Sequence, residues 1–271
     1  MKKFLLGFID LIRILKGANF QAKKNFKNIS NNKLIILGNG KSLNETSLPS
    51  KENTDYLVVN RHVLSDNYNI IKPLYYVLAD PFFFNNNEGL NIITQINTKT
   101  SWNIFLYIPY NIKAYPKIKK IITNPHIKIL TYNSFKYDGH KFIKYFLYNH
   151  YLAIPHPQNV LVPSIMIGIF NHYQTIELYG VEHTWTKYLY VDKNNIVYLD
   201  NPHFFDKEKN PPKSMKEIQK KSEYPFYLAL KDYARMFESY WEIKDYIIYK
   251  KKKCKIINKT QESFIDAFEK K

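Results

Sequence analysis

The chain has 271 residues, 45% of them apolar, which is enough to bury a large core and too much for a disordered protein. Its single cysteine, Cys254, excludes a disulfide scaffold and a Cys-rich zinc site, and it fits a reducing, cytoplasmic interior. Forty Lys and Arg against 23 Asp and Glu leave a net charge of +17, which calls for an anionic partner. The cations are mostly Lys and come with no zinc-finger or RNP-like signature, so nucleic acid is not expected as that partner, whereas a membrane surface or a phosphorylated substrate is.

The stretch MKKFLLGFIDLIRILKG is interrupted by Asp10 and Arg13 and lacks a small-residue cleavage site, so export is not expected. No segment has the length of a membrane-spanning helix. Drawn as a helix, the stretch puts Phe4, Leu5, Phe8, Leu11, Ile12 and Leu15 on one broad side. That side suits either packing against the core or lying in a membrane interface.

After a polar link at residues 21–32, apolar β-rich runs recur at Lys33 to Leu37, Tyr56 to Val59, Leu74 to Leu78, Ile104 to Ile108 and Ile127 to Leu130. None alternates as a half-wet strand would, which predicts buried parallel strands. Leu161 to His172 reads as a helix and Thr175 to Tyr179 as a strand ending at Gly180, continuing a β-α-β rhythm. Residues 183–223 break it, with Pro211-Pro212 opposing helix, and predict a lid or acceptor-binding insertion. Tyr224 to Tyr249 reads as a long helix, Cys254 to Ile257 as a last strand and Gln261 to Glu269 as a closing helix. The chain thus divides into an amphipathic helix and link at 1–32, an α/β region at 33–182, the insertion at 183–223 and a completing segment at 224–271. The fold class is α/β, Rossmann-like, with a mainly parallel sheet.

In LIILGNGKSLNET the letters GKS suggest a Walker A loop, but its first Gly would have to stand at Ile35. What remains is a strand running into Gly38-Asn39-Gly40-Lys41-Ser42, whose backbone N–H groups could meet a phosphate. Ligands of parallel sheets lie outside the carboxyl ends of the strands. The polar groups expected there include Asn60-Arg61-His62, Asp80-Pro81 and Gly180-Val181-Glu182-His183. His183 and His203, set among Tyr and Trp, are candidate proton acceptors, and their spacing carries no metal signature.

This arrangement resembles the bacterial sialyltransferases of glycosyltransferase family 42 and related proteins. The family's Gly-Asn-Gly-Pro-Ser-Leu turn is matched by Gly38 to Leu43, its donor-contacting Asn by Asn60, and its Asn-Pro strand end by Asp80-Pro81. Its Thr-Ser-Gly turn becomes Asn159-Val160-Leu161, ahead of Gly180-Val181-Glu182, and a tyrosine that assists the leaving phosphate falls on Tyr190. Pro157 stands where the family has an Arg and Thr184 where it has its other tyrosine; no His-Ser pair follows the insertion. The resemblance implies a variant GT-A-like fold and an inverting transferase that uses neither a metal nor another cofactor. It takes the sugar from a CMP-linked donor to a surface glycan such as lipooligosaccharide. His203 would be the base with His183 second, Tyr190 and Tyr188 the leaving-group donors, and Gly38 to Ser42, Asn60, Arg61, Asp80, Asn159 and Glu182 the substrate contacts. It also implies homo-oligomers, for which no surface stripe in the sequence argues; the basic clusters and the amphipathic N-terminal stretch suit peripheral contact with the cytoplasmic face of the inner membrane. A UDP- or GDP-sugar transferase, a pterin pyrophosphokinase-like enzyme and a non-catalytic polyanion- or membrane-binding protein are the alternatives.

Overall fold

The computed structural model describes residues 2–26, 31–199, 212–219 and 223–271. A first helix, α1 (Lys2–Gly17), leads to strand β1 (Lys33–Leu37), whose Leu34 to Leu37 are fully buried. Next come β2 (Thr54–Val59), a short α2 (Asn67–Ile71) and β3 (Tyr75–Val77). Helices α3 (Phe82–Asn85) and α4 (Asn87–Lys99) follow in the Asn-rich stretch; Asn86 separates them and caps α4 by accepting the Glu88 N–H. Then β4 (Ile104–Pro109), α5 (Tyr115–Ile121), β5 (Ile127–Tyr132), α6 (Lys141–Asn149), α7 (Leu161–Phe170) and β6 (Thr175–Tyr179) complete the first two thirds.

Alternate residues of each strand face opposite sides, as a pleated strand requires. Leu34, Ile36, Leu57 and Val59 join one apolar cluster with α7, and Ile35, Leu37, Tyr56 and Val58 join a second with α4. A sheet covered on both faces explains why its strands read as unbroken apolar runs. Each such Leu or Ile contributes roughly 1.5–3 kcal/mol.

Residues 183–223 hold more regular structure than expected. Strands β7 (Leu189–Val191), β8 (Val197–Leu199) and β9 (Lys213–Ser214) form a small antiparallel sheet, followed by α8 (Met215–Gln219). The long helix α9 (Phe226–Tyr249) and β10 (Lys255–Asn258) come next. The closing helix expected at Gln261 to Glu269 is absent: the segment runs as bends into β11 (Glu269–Lys270). Thr260, Ser263 and Asn258 hold it with side-chain hydrogen bonds to backbone, an arrangement that competes with helix.

The large sheet has eight strands in the order β11-β10-β6-β1-β2-β3-β4-β5, and every pairing is parallel. The chain winds outward from β1 to β5, then returns to place β6 on the other side of β1. The crevice between the carboxyl ends of β1 and β6 is therefore the topological switch point, where open α/β sheets take ligands. Helix α9 is tied to α6 by Lys144 Nζ at 3.0 Å from Glu242 Oε2 and by the Tyr148 hydroxyl donating to Glu242 Oε1. That tie fixes the wall of the crevice.

Helix α1 docks the opposite way from its apolar pattern. Gly7, Asp10 and Ile14 are buried, while Phe4, Leu5, Phe8, Ile12 and Leu15 face outward. Of the apolar side expected to meet the core or a membrane, only Leu11 packs on the core; the helix is seated by Gly7, Ile14 and Asp10, whose Oδ2 accepts the Asp138 N–H at 2.9 Å. No helix among the described residues is long and apolar enough to cross a membrane.

Candidate functional site

A cleft of about 1080 Å³ opens at the switch point, lined by the turns after β1, β2, β3 and β6, by the start of α7 and by α9. The loops after β1 and β6 are locked together. The Gly38 and Gly40 N–H groups donate to the Tyr179 and Gly180 carbonyls at 2.8 and 2.9 Å. A Cβ on Gly38 would lie 2.1 Å from the Gly180 carbonyl oxygen, backbone that cannot swing aside, so only glycine fits there, and the Glu182 carboxylate fills the space beside Gly40. Gly180 sits at φ +64°, where L side chains are strained.

Glu182 also takes the place an anion was expected to fill. Its Oε1 accepts the Ser42 N–H at 2.7 Å, at the start of the single-turn helix over Lys41–Glu45. The Gly38-to-Ser42 turn is therefore not an open phosphate nest: the chain's own carboxylate occupies its outward N–H group. Around it, Asn39 Oδ1, Ser42 Oγ and Asn60 Oδ1 are buried with no hydrogen-bond partner among the described residues. Buried acceptors left unpaired cost about 1–3 kcal/mol each, which suits a site completed by a ligand. Asn60 ends β2 at φ 53°, an uncommon conformation that the Tyr76 hydroxyl pins by donating to its carbonyl at 2.6 Å.

On the β6 side one amide orders three groups. Asn159 Oδ1 accepts the Leu161 and Val162 N–H groups at 2.9 and 3.2 Å and so caps α7. With the oxygen so engaged, its NH₂ must face the cleft, where it donates to the Tyr240 hydroxyl at 2.8 Å and lies 3.2 Å from His183 Nε2. The Tyr240 proton then goes to His183 Nε2, 2.6 Å away, which makes Nε2 the accepting nitrogen and leaves the ring proton on Nδ1. Burial pushes the His183 pKa down to about 3. The imidazole is thus neutral and its one basic nitrogen is engaged, so in this arrangement it offers an N–H donor and not a base.

The remaining expected residues divide. Lys41, Arg61, Asp80 and Tyr188 line the cleft. Arg61 is paired to Glu88 at 2.6 Å and lies over the Phe82 ring at 5.1 Å, and Asp80 Oδ1 accepts the Phe82 N–H at 2.8 Å to start α3. Tyr190 stands apart: it is exposed on β7, stacked on Tyr198, and is not in the cleft lining. His203 lies outside the described residues.

Sequence reading missed the α9 wall, where Tyr233 stacks on Trp185 with ring centres 5.9 Å apart and Tyr240 holds His183. The spacing of Ala229, Tyr233, Met236 and Tyr240 marks one helix face, but nothing in it says which loop that face meets. Among the described residues no three His, Cys, Asp or Glu side chains are grouped as metal ligands.

No family model matches the chain, and no curated protein matches it. Two solved structures are similar in fold. The Maf glycosyltransferase of Magnetospirillum magneticum superposes over 93% of this chain with a TM-score of 0.50 at 11% identity. The chain spans 37% of the length of that protein. The sialyltransferase CST-II, solved with a trisaccharide acceptor and CMP, aligns over 88% of this chain and 85% of its own, with a TM-score of 0.42 at 16% identity. The likeness to the Maf protein speaks for the fold: an α/β, GT-A-like Rossmann architecture on a mainly parallel sheet, as expected from the sequence.

Proposed function

We propose that the protein is a glycosyltransferase that binds a nucleotide-sugar in the switch-point cleft. The observation that carries this reading is the pair of buried amide oxygens, Asn39 Oδ1 and Asn60 Oδ1, that have no partner among the described residues and belong to residues lining the cleft between β1, β2 and β6. They ask for donors, which a nucleoside supplies through ribose hydroxyls and an exocyclic amine. Glu182 fits the same end of the ligand, because a carboxylate accepts ribose hydroxyls and repels phosphate. The phosphates and sugar then extend toward Lys41, Tyr188 and the Trp185–Tyr233 stack, an aromatic pair suited to a sugar face.

The chemistry would be an inverting displacement. A base removes the acceptor hydroxyl proton, the oxygen attacks the anomeric carbon, and the phosphate leaves with the bonding electrons. His203 is the proposed base, since His183 Nε2 is already engaged by Tyr240. Tyr188 is the leaving-group donor that lines the cleft, and exposed Tyr190 joins it only if β7 moves. A CMP-linked acidic sugar and an anionic glycan such as lipooligosaccharide fit the donor-accepting pocket and the +17 charge.

Another donor, a UDP- or GDP-sugar, is favoured by two substitutions relative to the sialyltransferases, Pro157 for Arg and Thr184 for Tyr. Steady-state turnover separates these readings. His203→Ala is expected to lose at least about 100-fold in kcat while donor affinity stays within twofold. Full turnover in that variant would remove His203 as base, and stimulation by magnesium would favour a pyrophosphokinase-like enzyme.

A further inference from the structure

Helix α1 is held by a narrow side made of Gly7, Asp10, Leu11 and Ile14. A Cβ on Gly7 would sit 2.8 Å from Gly139 Cα, and the Asp10 carboxylate is buried against the Asp138 N–H. The opposite side carries Phe4, Phe8 and Leu15 at 70%, 55% and 65% exposure, with Leu5 and Ile12 between them. These residues lie three to four apart, so they form one stripe along the helix. Arg13 and Lys16 flank the stripe, and exposed Lys23 and Lys24 follow the helix. Near the Gly7–Gly139 contact, α6 begins and adds exposed Phe142 and Phe146.

We infer that this face docks on an anionic lipid bilayer. Aromatic and leucine side chains flanked by cations match the boundary between acyl chains and headgroups, with the cations reaching the headgroups. The charge selects the occupant. A second copy of a chain carrying +17 would be repelled, whereas anionic lipids are attracted at about 1 kcal/mol per cation near the surface.

The end of α1 is tied to the carboxyl-end side of the sheet. Asn19, just beyond α1, donates its N–H to Asn133 Oδ1 at 2.8 Å and accepts from Asn133 Nδ2 at 2.9 Å. Asn133 follows β5 at its carboxyl end, the end of the sheet at which the cleft opens. Bilayer binding stands without the transferase reading; delivery of a lipid-linked acceptor to the cleft rests on it.

Co-sedimentation of the full chain with vesicles tests the inference. Vesicles made half of phosphatidylglycerol are expected to bind it at least about tenfold more tightly than pure phosphatidylcholine, with release near 0.5 M salt. The triple variant Phe4→Ser, Phe8→Ser, Leu15→Ser should lose that binding while nucleotide binding and the melting temperature hold. Equal pelleting by both proteins, or no pelleting of the unaltered chain, would overturn the proposal. So would a dimer of the unaltered chain that the triple variant turns into monomers, since the face would then belong to a second copy. Hydrogen exchange of residues 2–17 in the unaltered chain gives a reading independent of the variant's folding. Slower exchange with anionic vesicles is expected, and unchanged exchange would contradict the docking.

Discussion

Gly38 is where the two sides of the cleft touch backbone to backbone, and the Gly180 carbonyl oxygen lies 2.1 Å from where a Cβ would stand. Gly38→Ala should therefore push the β1 and β6 loops apart. Chemical denaturation is expected to show a loss of about 1–3 kcal/mol, as for other overpacked sites. Two imidazoles behave alike for a different reason. Burial pushes the pKa of both His62 and His183 down to about 3, from an ordinary value of 6.5. Both should stay neutral in nitrogen-resolved NMR spectra from about pH 8 to about pH 4. The unfolded chain protonates these residues below about pH 6.5 while the folded chain does not, so their linkage lowers stability as pH falls from there toward 3. His183→Asn should flatten that fall, which urea melts at pH 7 and pH 5 would reveal. The sequence offered His183 as a reserve base because a His among aromatics is chemically plausible. Only the fold shows Tyr240, 57 residues away, donating to its free nitrogen.

At the scale of elements, strands were legible where burial is complete. β1 and β6 fall on the residues expected, because an unbroken apolar run has no other stable home than a covered sheet. The closing helix failed because Asn258 and Ser263 side chains accept the nearby Thr260 and Ile265 N–H groups while the Thr260 and Ser263 hydroxyls bind the distant Val181 backbone, a competition that periodicity does not register. Helix α1 was found as a helix but its orientation was not readable, since the close Gly7–Gly139 approach, the buried Asp10 carboxylate and Ile14 together seat the helix while five apolar side chains stay exposed. Asp10→Ala removes the acceptor for the Asp138 N–H, at a cost of roughly 1–3 kcal/mol. Amide exchange in α1 should speed up while that in β1 is unchanged. At the other end of the cleft, Asn159→Ala uncaps α7 for about 1 kcal/mol and leaves Tyr240 and His183 without their shared amide.

The whole molecule joins these parts through one topological fact: the chain leaves β1 toward β5 and returns to β6. The sequence supplies the strands and the polar turns that end them, and the order of the strands decides which turns meet. It brings Gly38 to Lys41, Asn60, Asn159 and Glu182 to one cleft and leaves Tyr190 outside it. The buried amide oxygens of Asn39 and Asn60 have no partner among the described residues, so a ligand that supplies donors should bind and raise the melting temperature. The most direct measurement is calorimetric titration of CMP, CDP, UDP, GDP and ATP, with and without magnesium, into the chain and into Asn60→Gly. Glycine accepts the positive φ of position 60 and removes only the side chain. Binding of CMP without magnesium, weakened roughly tenfold in Asn60→Gly, is the expected result. No binding of any nucleotide, or binding that Asn60→Gly leaves untouched, would contradict a nucleotide site between β1, β2 and β6.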